Sequence, residues 1–224
     1  MQEDNGNVEW IKKDAKIFLP GGNIKEYSYF GWGKTTTQFY GYIMGYKDAA
    51  DILIEDATHS DSNMKLDTLI FPVLFLYRHS IELYLKRIYL ELFEENLNEK
   101  KTFLKKRGHN LMAVWEKVRI IIERYSMEEE KKDIPIAEEY IKQINQIDEN
   151  SFNFRYPVTK ELERIHSESK IINLPNLKER MSEIYNFLDA VYNVIGERKN
   201  QEAEFLLNRL PARDHSFERH KITR

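Results

Sequence analysis

Apolar residues between positions 66 and 93 recur so densely that they leave almost no polar face. At the helical period, Leu74, Ile81, Leu85, Ile88 and Leu92 share one flank, while Leu76, Leu83 and Leu90 share another. A narrow outer face is left to Ser80, Arg87, Glu91 and Glu94. Nearly opposite runs a second polar stripe, His79, Glu82 and Lys86, whose spacings of three and four stack the side chains on one side. A helix wrapped in apolar residues is a central helix. Charged groups on its inward side are costly unless paired, hydrogen-bonded or put to use.

The same periodicity predicts further helices around this one. A first helix spans 37–57, with Tyr40, Ile43, Met44, Ala50, Leu53 and Ile54 as its stripe and Gly41 and Gly45 as points of close approach. Asp67 is placed to cap the central helix, and Pro72 falls in or near its first turns. Residues 95–107 read as a charged link whose cluster of Lys100, Lys101, Lys105, Lys106 and Arg107 could meet phosphates, a solvated surface being the simpler reading. The next helix opens at Gly108-His109-Asn110 and turns Leu111, Val114, Trp115, Val118, Ile121 and Ile122 inward. Another covers 135–148 behind Asp133. Residues 149–174 form the one long connection, with short strands possible in 154–158 and 170–174. The last helix starts near Pro175 and carries Leu177, Met181, Ile184, Tyr185, Leu188, Val191, Tyr192 and Ile195 at close to heptad spacing. The expected architecture is all-α: an antiparallel four- to five-helix bundle over 35–208. An irregular N-terminal arm (1–34) precedes it, a long loop comes before its last helix, and a basic C-terminal tail (209–224) follows it.

Composition narrows the chemistry. A chain of 224 residues can bury a sizeable core, and 42% hydrophobic content with 13 Tyr and 12 Phe marks a globular protein. A net charge of −3 leaves no global attraction to polyanions, so any such site is a local patch. The absence of cysteine excludes disulfides, thiolate metal sites and cysteine nucleophiles. No apolar run is long enough to span a bilayer and the first residues are polar, so a soluble cytoplasmic protein without a membrane partner is expected. Neither His-x3-His nor HExxH occurs, so no metal or other cofactor is expected. Gly31-Trp32-Gly33-Lys34-Thr35-Thr36 imitates the end of a phosphate-binding loop, but Ser28 stands where its first glycine belongs.

Three short runs carry a resemblance. Tyr77–Lys86, reading YRHSIELYLK, resembles the second helix of the HEPN superfamily with its Glu-Leu-x-x-Lys pattern. Gly108-His109-Asn110-Leu111 is similar to that family's opening of the third helix. Phe154-Arg155-Tyr156-Pro157 resembles the RYP element of its nucleotidyltransferase-associated branch. The resemblance implies a helical bundle, a homodimer, and RNA or nucleotide as ligand. It also implies a place in a prokaryotic defence or toxin–antitoxin system, with an antitoxin or nucleotidyltransferase as possible partner. Many members are metal-independent endoribonucleases using Arg-x(4–6)-His. In this chain neither His109 nor Arg155 has a partner at that spacing; it occurs in the tail, as Arg209…His215 and Arg213…His220, of which Arg213 and His220 are the candidate catalytic pair, with Asp214 as the polar residue often found after the arginine.

The candidate ligand-binding residues are His79, Glu82, Lys86, His109, Arg155 and Tyr156. Two readings of the central stripe stand side by side. In one, Glu82 orients His79 or Lys86 toward a phosphate or base. In the other, Glu82 and Lys86 form a buried pair and His79 bonds a loop carbonyl. His109 reads as a helix cap or a ligand contact, and Arg155 as a phosphate fork or a partner for Glu82. The rival to a nucleic-acid function is a non-catalytic helical module that binds a protein.

Overall fold

The computed structural model describes residues 9–19, 21–149 and 151–209, with Arg209 as backbone only. Among the described residues seven α-helices follow one another: α1 (Thr35–Thr58), α2 (Asn63–Leu92), α3 (Leu97–Arg107), α4 (Leu111–Tyr125), the single turn α5 (Glu128–Lys131), α6 (Ile134–Ile147) and α7 (Leu174–Arg209). The described residues contain no β-strand; Val158 and Arg164 form an isolated antiparallel bridge. The all-α bundle expected from periodicity is what forms, and the strands possible in 154–158 and 170–174 do not.

Helix α2 is the hub. It packs against α1, α4 and α7, while α4 packs in turn against α6 and α7. Tyr77, Ile81, Leu85, Ile88 and Tyr89 on α2 meet Trp115 and Val118 of α4 and Ile184 and Leu188 of α7 in one contiguous buried cluster. Each large aliphatic or aromatic side chain so buried contributes about 1.5–3 kcal/mol relative to exposure. The heptad-like face of α7 is core: Met181, Ile184, Tyr185, Leu188 and Ile195 are all buried.

Ser80 is not on an outer face. It is buried and donates from Oγ to the Ile43 carbonyl at 2.8 Å, because α1 lies close against that side of α2. The cap of α2 is Ser62, whose Oγ accepts from the Lys65 N–H, not Asp67. The helix therefore begins a turn earlier, and Pro72 sits in its interior, where it leaves the Thr68 carbonyl without its usual donor. Gly41 makes room for a ring of the arm and not for a helix, since a Cβ there would lie 3.3 Å from Trp32. At Gly45 a Cβ would meet nothing within 4 Å.

The charged link is largely a helix. Asn96 and Glu99 close a capping box, with Asn96 Oδ1 accepting from Glu99 N–H at 3.0 Å and Glu99 Oε2 accepting from Asn96 N–H at 3.2 Å. Lys105, Lys106 and Arg107 then fall in the last turn, where the helix dipole favours cations. Lys100 is buried instead of solvated. Its Nζ donates to the Leu90 carbonyl, and Lys199 Nζ donates to that of Leu92, each at 2.8 Å, so two lysines satisfy the exposed carbonyl end of α2.

Candidate functional site

The polar stripe of α2 is a ladder with one more rung than periodicity suggested. Arg78, Glu82 and Lys86 lie four residues apart, one turn above another. Arg78 is the residue missed in sequence. It is 2% exposed and spends every nitrogen on a partner. Nη1 donates to Glu82 Oε2 at 2.7 Å, Nε to the Asp148 carbonyl at 2.6 Å, and Nη2 to the His109 carbonyl at 2.6 Å and the Glu149 carbonyl at 3.4 Å. One guanidinium thus joins α2 to the α3–α4 turn and to the start of the long loop.

Glu82 is 1% exposed and receives three donors. Arg78 takes Oε2, while Lys86 Nζ at 2.6 Å and His109 Nδ1 at 3.0 Å share Oε1. Burial by itself raises the carboxyl's pKa, but the Lys86 ammonium and the Arg78 guanidinium outweigh it. The group is held ionised, below the usual carboxylate range. An ionised carboxylate only accepts, so His109 Nδ1 carries the hydrogen. The His109 side chain is 72% exposed, and its Nε2 makes no hydrogen bond among the described residues.

The α3–α4 turn fixes this geometry. Asn110, not His109, caps α4, its Oδ1 accepting from the Ala113 N–H at 2.9 Å. That frees the imidazole for Glu82. Gly108 precedes it at the end of α3, where a Cβ would fall 2.5 Å from the Leu104 carbonyl oxygen.

His79 follows neither reading given to it in full. Its ring stacks on Phe75 with centroids 5.6 Å apart and meets Tyr46 edge-on at 4.8 Å. No loop carbonyl is bonded to it among the described residues. Burial lowers its pKa; Glu82 opposes the shift, and Lys86, Arg78 and Arg155 reinforce it. His79 therefore sits neutral within the electrostatic reach of the whole cluster.

Arg155 and Tyr156 come from the long loop. Asp148 organises that loop by accepting the N–H groups of Phe152 and Asn153 on Oδ1, and Asn153 Nδ2 donates to the Ile147 carbonyl. The turn passes through Ser151 in the left-handed region, with φ 59°. Arg155 makes no ion pair with Glu82; it is exposed. Tyr156 is half exposed and stacks on Phe152 at 4.7 Å.

The loop also forms a pocket of about 490 Å³ with the early part of α2, lined by Phe71, Phe154, Arg155, Tyr156, Arg164 and His166, among others. Periodicity gave no warning of Phe71, Arg164 or His166, because they meet through a loop path that no pattern encodes.

Glu82, Lys86 and His109 thus touch, His79 and Arg155 lie within their field, and Tyr156 borders the pocket. The tail pair Arg213 and His220 lies outside the described residues. Among the described residues no cluster of three or more His, Asp or Glu could hold a metal ion, and no helix is long and apolar enough to cross a membrane. The chain matches no family model, no curated protein and no solved structure.

Proposed function

We propose that this protein binds RNA or a nucleotide and cleaves RNA without a metal ion, with His109 as the group that accepts the proton. One observation carries the reading: a buried, ionised Glu82 holds an exposed imidazole by Nδ1 and leaves Nε2 free. Buried carboxylates orient general-base histidines in this way in unrelated enzymes. In the proposed step a ribose 2′-oxygen bonds to the adjacent phosphorus while its proton passes to His109 Nε2. The bond from phosphorus to the 5′-oxygen breaks, and that oxygen takes a proton from water. The products are a 2′,3′-cyclic phosphate and a 5′-hydroxyl. Arg155, exposed and free of ion pairs among the described residues, supplies the guanidinium for the phosphate.

The HEPN resemblance supports the choice of RNA, and with it a homodimer in a prokaryotic defence or toxin–antitoxin setting. It also offers Arg213 and His220 as an alternative catalytic pair. A second reading has its own support. The Arg78 guanidinium is saturated and ties three segments together, as a purely structural staple in a protein-binding module would.

Incubating purified protein with mixed RNA in EDTA, beside His109→Ala, Arg155→Ala and His220→Ala variants, separates these readings. Cleavage lost on His109→Ala supports the proposal. Cleavage lost only on His220→Ala moves the chemistry to the tail. RNA left intact by every protein favours the interaction module.

A further inference from the structure

We propose that the pocket between α2 and the 153–166 loop is a subsite for one unpaired nucleobase and the phosphate beside it. The inference rests on the nucleic-acid reading above and sharpens it: a base held here must be out of a duplex, so the preferred ligand is single-stranded.

The walls have the chemistry of a base-stacking platform. Phe154 and His166 stack with centroids 5.2 Å apart and planes 25° from parallel, and Phe71 tilts against His166 at 5.9 Å. Tyr156 presents a half-exposed ring on the same pocket, backed by Phe152. Unpaired bases are commonly held by stacking on Phe, Tyr and His in this manner, while a paired base has both faces occupied. The volume of about 490 Å³ suits a nucleotide-sized group.

The rim supplies the anion partner. Arg155 and Arg164 both line the pocket and are exposed, and neither guanidinium makes a hydrogen bond or ion pair among the described residues. Elsewhere in this bundle most arginines are committed to carboxylates: Arg78, Arg87, Arg119, Arg124, Arg180 and Arg198 each have an acidic partner. Two uncommitted forks beside aromatic faces fit a phosphate joined to a planar base.

The backbone is braced to hold this shape. His166 Nε2 lies 3.0 Å from the Asn153 carbonyl and Asn153 is anchored to Ile147, so the two sides of the loop are fastened to each other and to the end of α6. The pocket is therefore preformed, and binding does not have to order it.

The test is fluorescence anisotropy in EDTA with labelled single-stranded RNA, a hairpin of the same length, and a single strand with abasic sites. The proteins are the full chain, Tyr156→Ala and Arg164→Gln, with His109→Ala present in each to stop turnover. Removing one stacking ring should weaken the single strand by roughly 5- to 150-fold. Arg164→Gln should weaken it too, and both the hairpin and the abasic strand should bind the full chain worse than the intact strand. Single-strand binding that neither pocket variant changes overturns the subsite while leaving the RNA reading standing. No binding of any RNA overturns both. An acidic peptide with a terminal aromatic residue that binds in a Tyr156- and Arg164-dependent way, where RNA does not, makes the pocket a protein-docking site and overturns the proposal.

Discussion

Arg78 Nε donates to the backbone carbonyl of Asp148 across 2.6 Å and 70 residues of chain. The same guanidinium neutralises Glu82 and binds the carbonyl of His109. The candidate site is thus assembled around a cation that never reaches solvent. Its carboxylate, its imidazole and the loop bearing Arg155 all take their positions from that one side chain.

Removing the guanidinium should therefore cost more than a surface ion pair. Arg78→Met leaves a buried carboxylate with one of its cations gone and three carbonyls without their donor. A loss of about 3–5 kcal/mol is expected, the range found when one partner of a buried pair is deleted. Arg78→Lys should recover little, because a single ammonium cannot span the same partners. Chemical denaturation of both variants checks this, and a loss below about 1 kcal/mol for Arg78→Met would show that the staple is not needed.

Glu82 gives the fold an acid-sensitive component. Its folded pKa lies below the ordinary value of 4.5, so the stabilisation is fully present above that value. It is lost as pH falls through the folded pKa, where proton uptake favours the unfolded chain. Glu82→Gln should lower stability at neutral pH and flatten the acid limb of the stability profile. Thermal melts between pH 3 and 7 read both effects. A variant whose acid limb matches the parent's would place the acid sensitivity elsewhere.

His79 should act in a milder range. Burial holds its folded pKa below 6.5, so the folded state disfavours the imidazolium. Its contribution is complete above 6.5 and declines as pH drops below that value toward the folded pKa. His79→Phe keeps the stack on Phe75 and removes the titration. Melting at pH 5.5 and 7.5 should show a smaller pH difference in the variant than in the parent; an equal difference would mean that His79 is not the responsive group.

Gly108 couples the α3–α4 turn to the site. An added methyl would come within 2.5 Å of a backbone oxygen, and backbone cannot swing aside as a side-chain tip can. Gly108→Ala should cost about 1–3 kcal/mol, as forced overpacking does. It should also displace His109 from Glu82, visible as shifted His109 imidazole resonances in a spectrum otherwise close to the parent's.

Much of the bundle was legible because burial is periodic. The apolar stripes of α1, α2, α4, α6 and α7 stand in the sequence at helical spacing, and those helices formed within a few residues of where the stripes lie. Helix α3 was not legible by that criterion. Its mean character is charged, and it owes its start to the Asn96–Glu99 capping box and its hold on the bundle to Phe103 and Leu104 packed on the core and to Lys100 bonded to the Leu90 carbonyl.

The stripe His79, Glu82, Lys86 was visible as an anomaly on an apolar helix, but its meaning was not. The next rung, Arg78, carried no signal of its own in the sequence, because the carbonyls it binds come from the α3–α4 turn and the start of the long loop. Ser80 was misjudged because periodicity assigns a face without knowing which neighbouring backbone comes close. The pocket residues Phe71, Arg164 and His166 belong to different segments, and only the path of the 149–174 loop brings them together.

Glu82 holds His109 by Nδ1, and the proposed chemistry needs that contact to fix the Nδ1–H tautomer with Nε2 open to substrate. The most direct measurement is the imidazole nitrogen-15 spectrum of His109 in the full chain at a pH where the ring is neutral, assigned with a His109→Gln variant. A protonated Nδ1 and an unprotonated Nε2 are expected, with a shift toward a tautomer mixture in Glu82→Gln. A parent spectrum dominated by protonated Nε2 would contradict this: the carboxylate would not be the partner of His109, and the proposed proton acceptor would be lost.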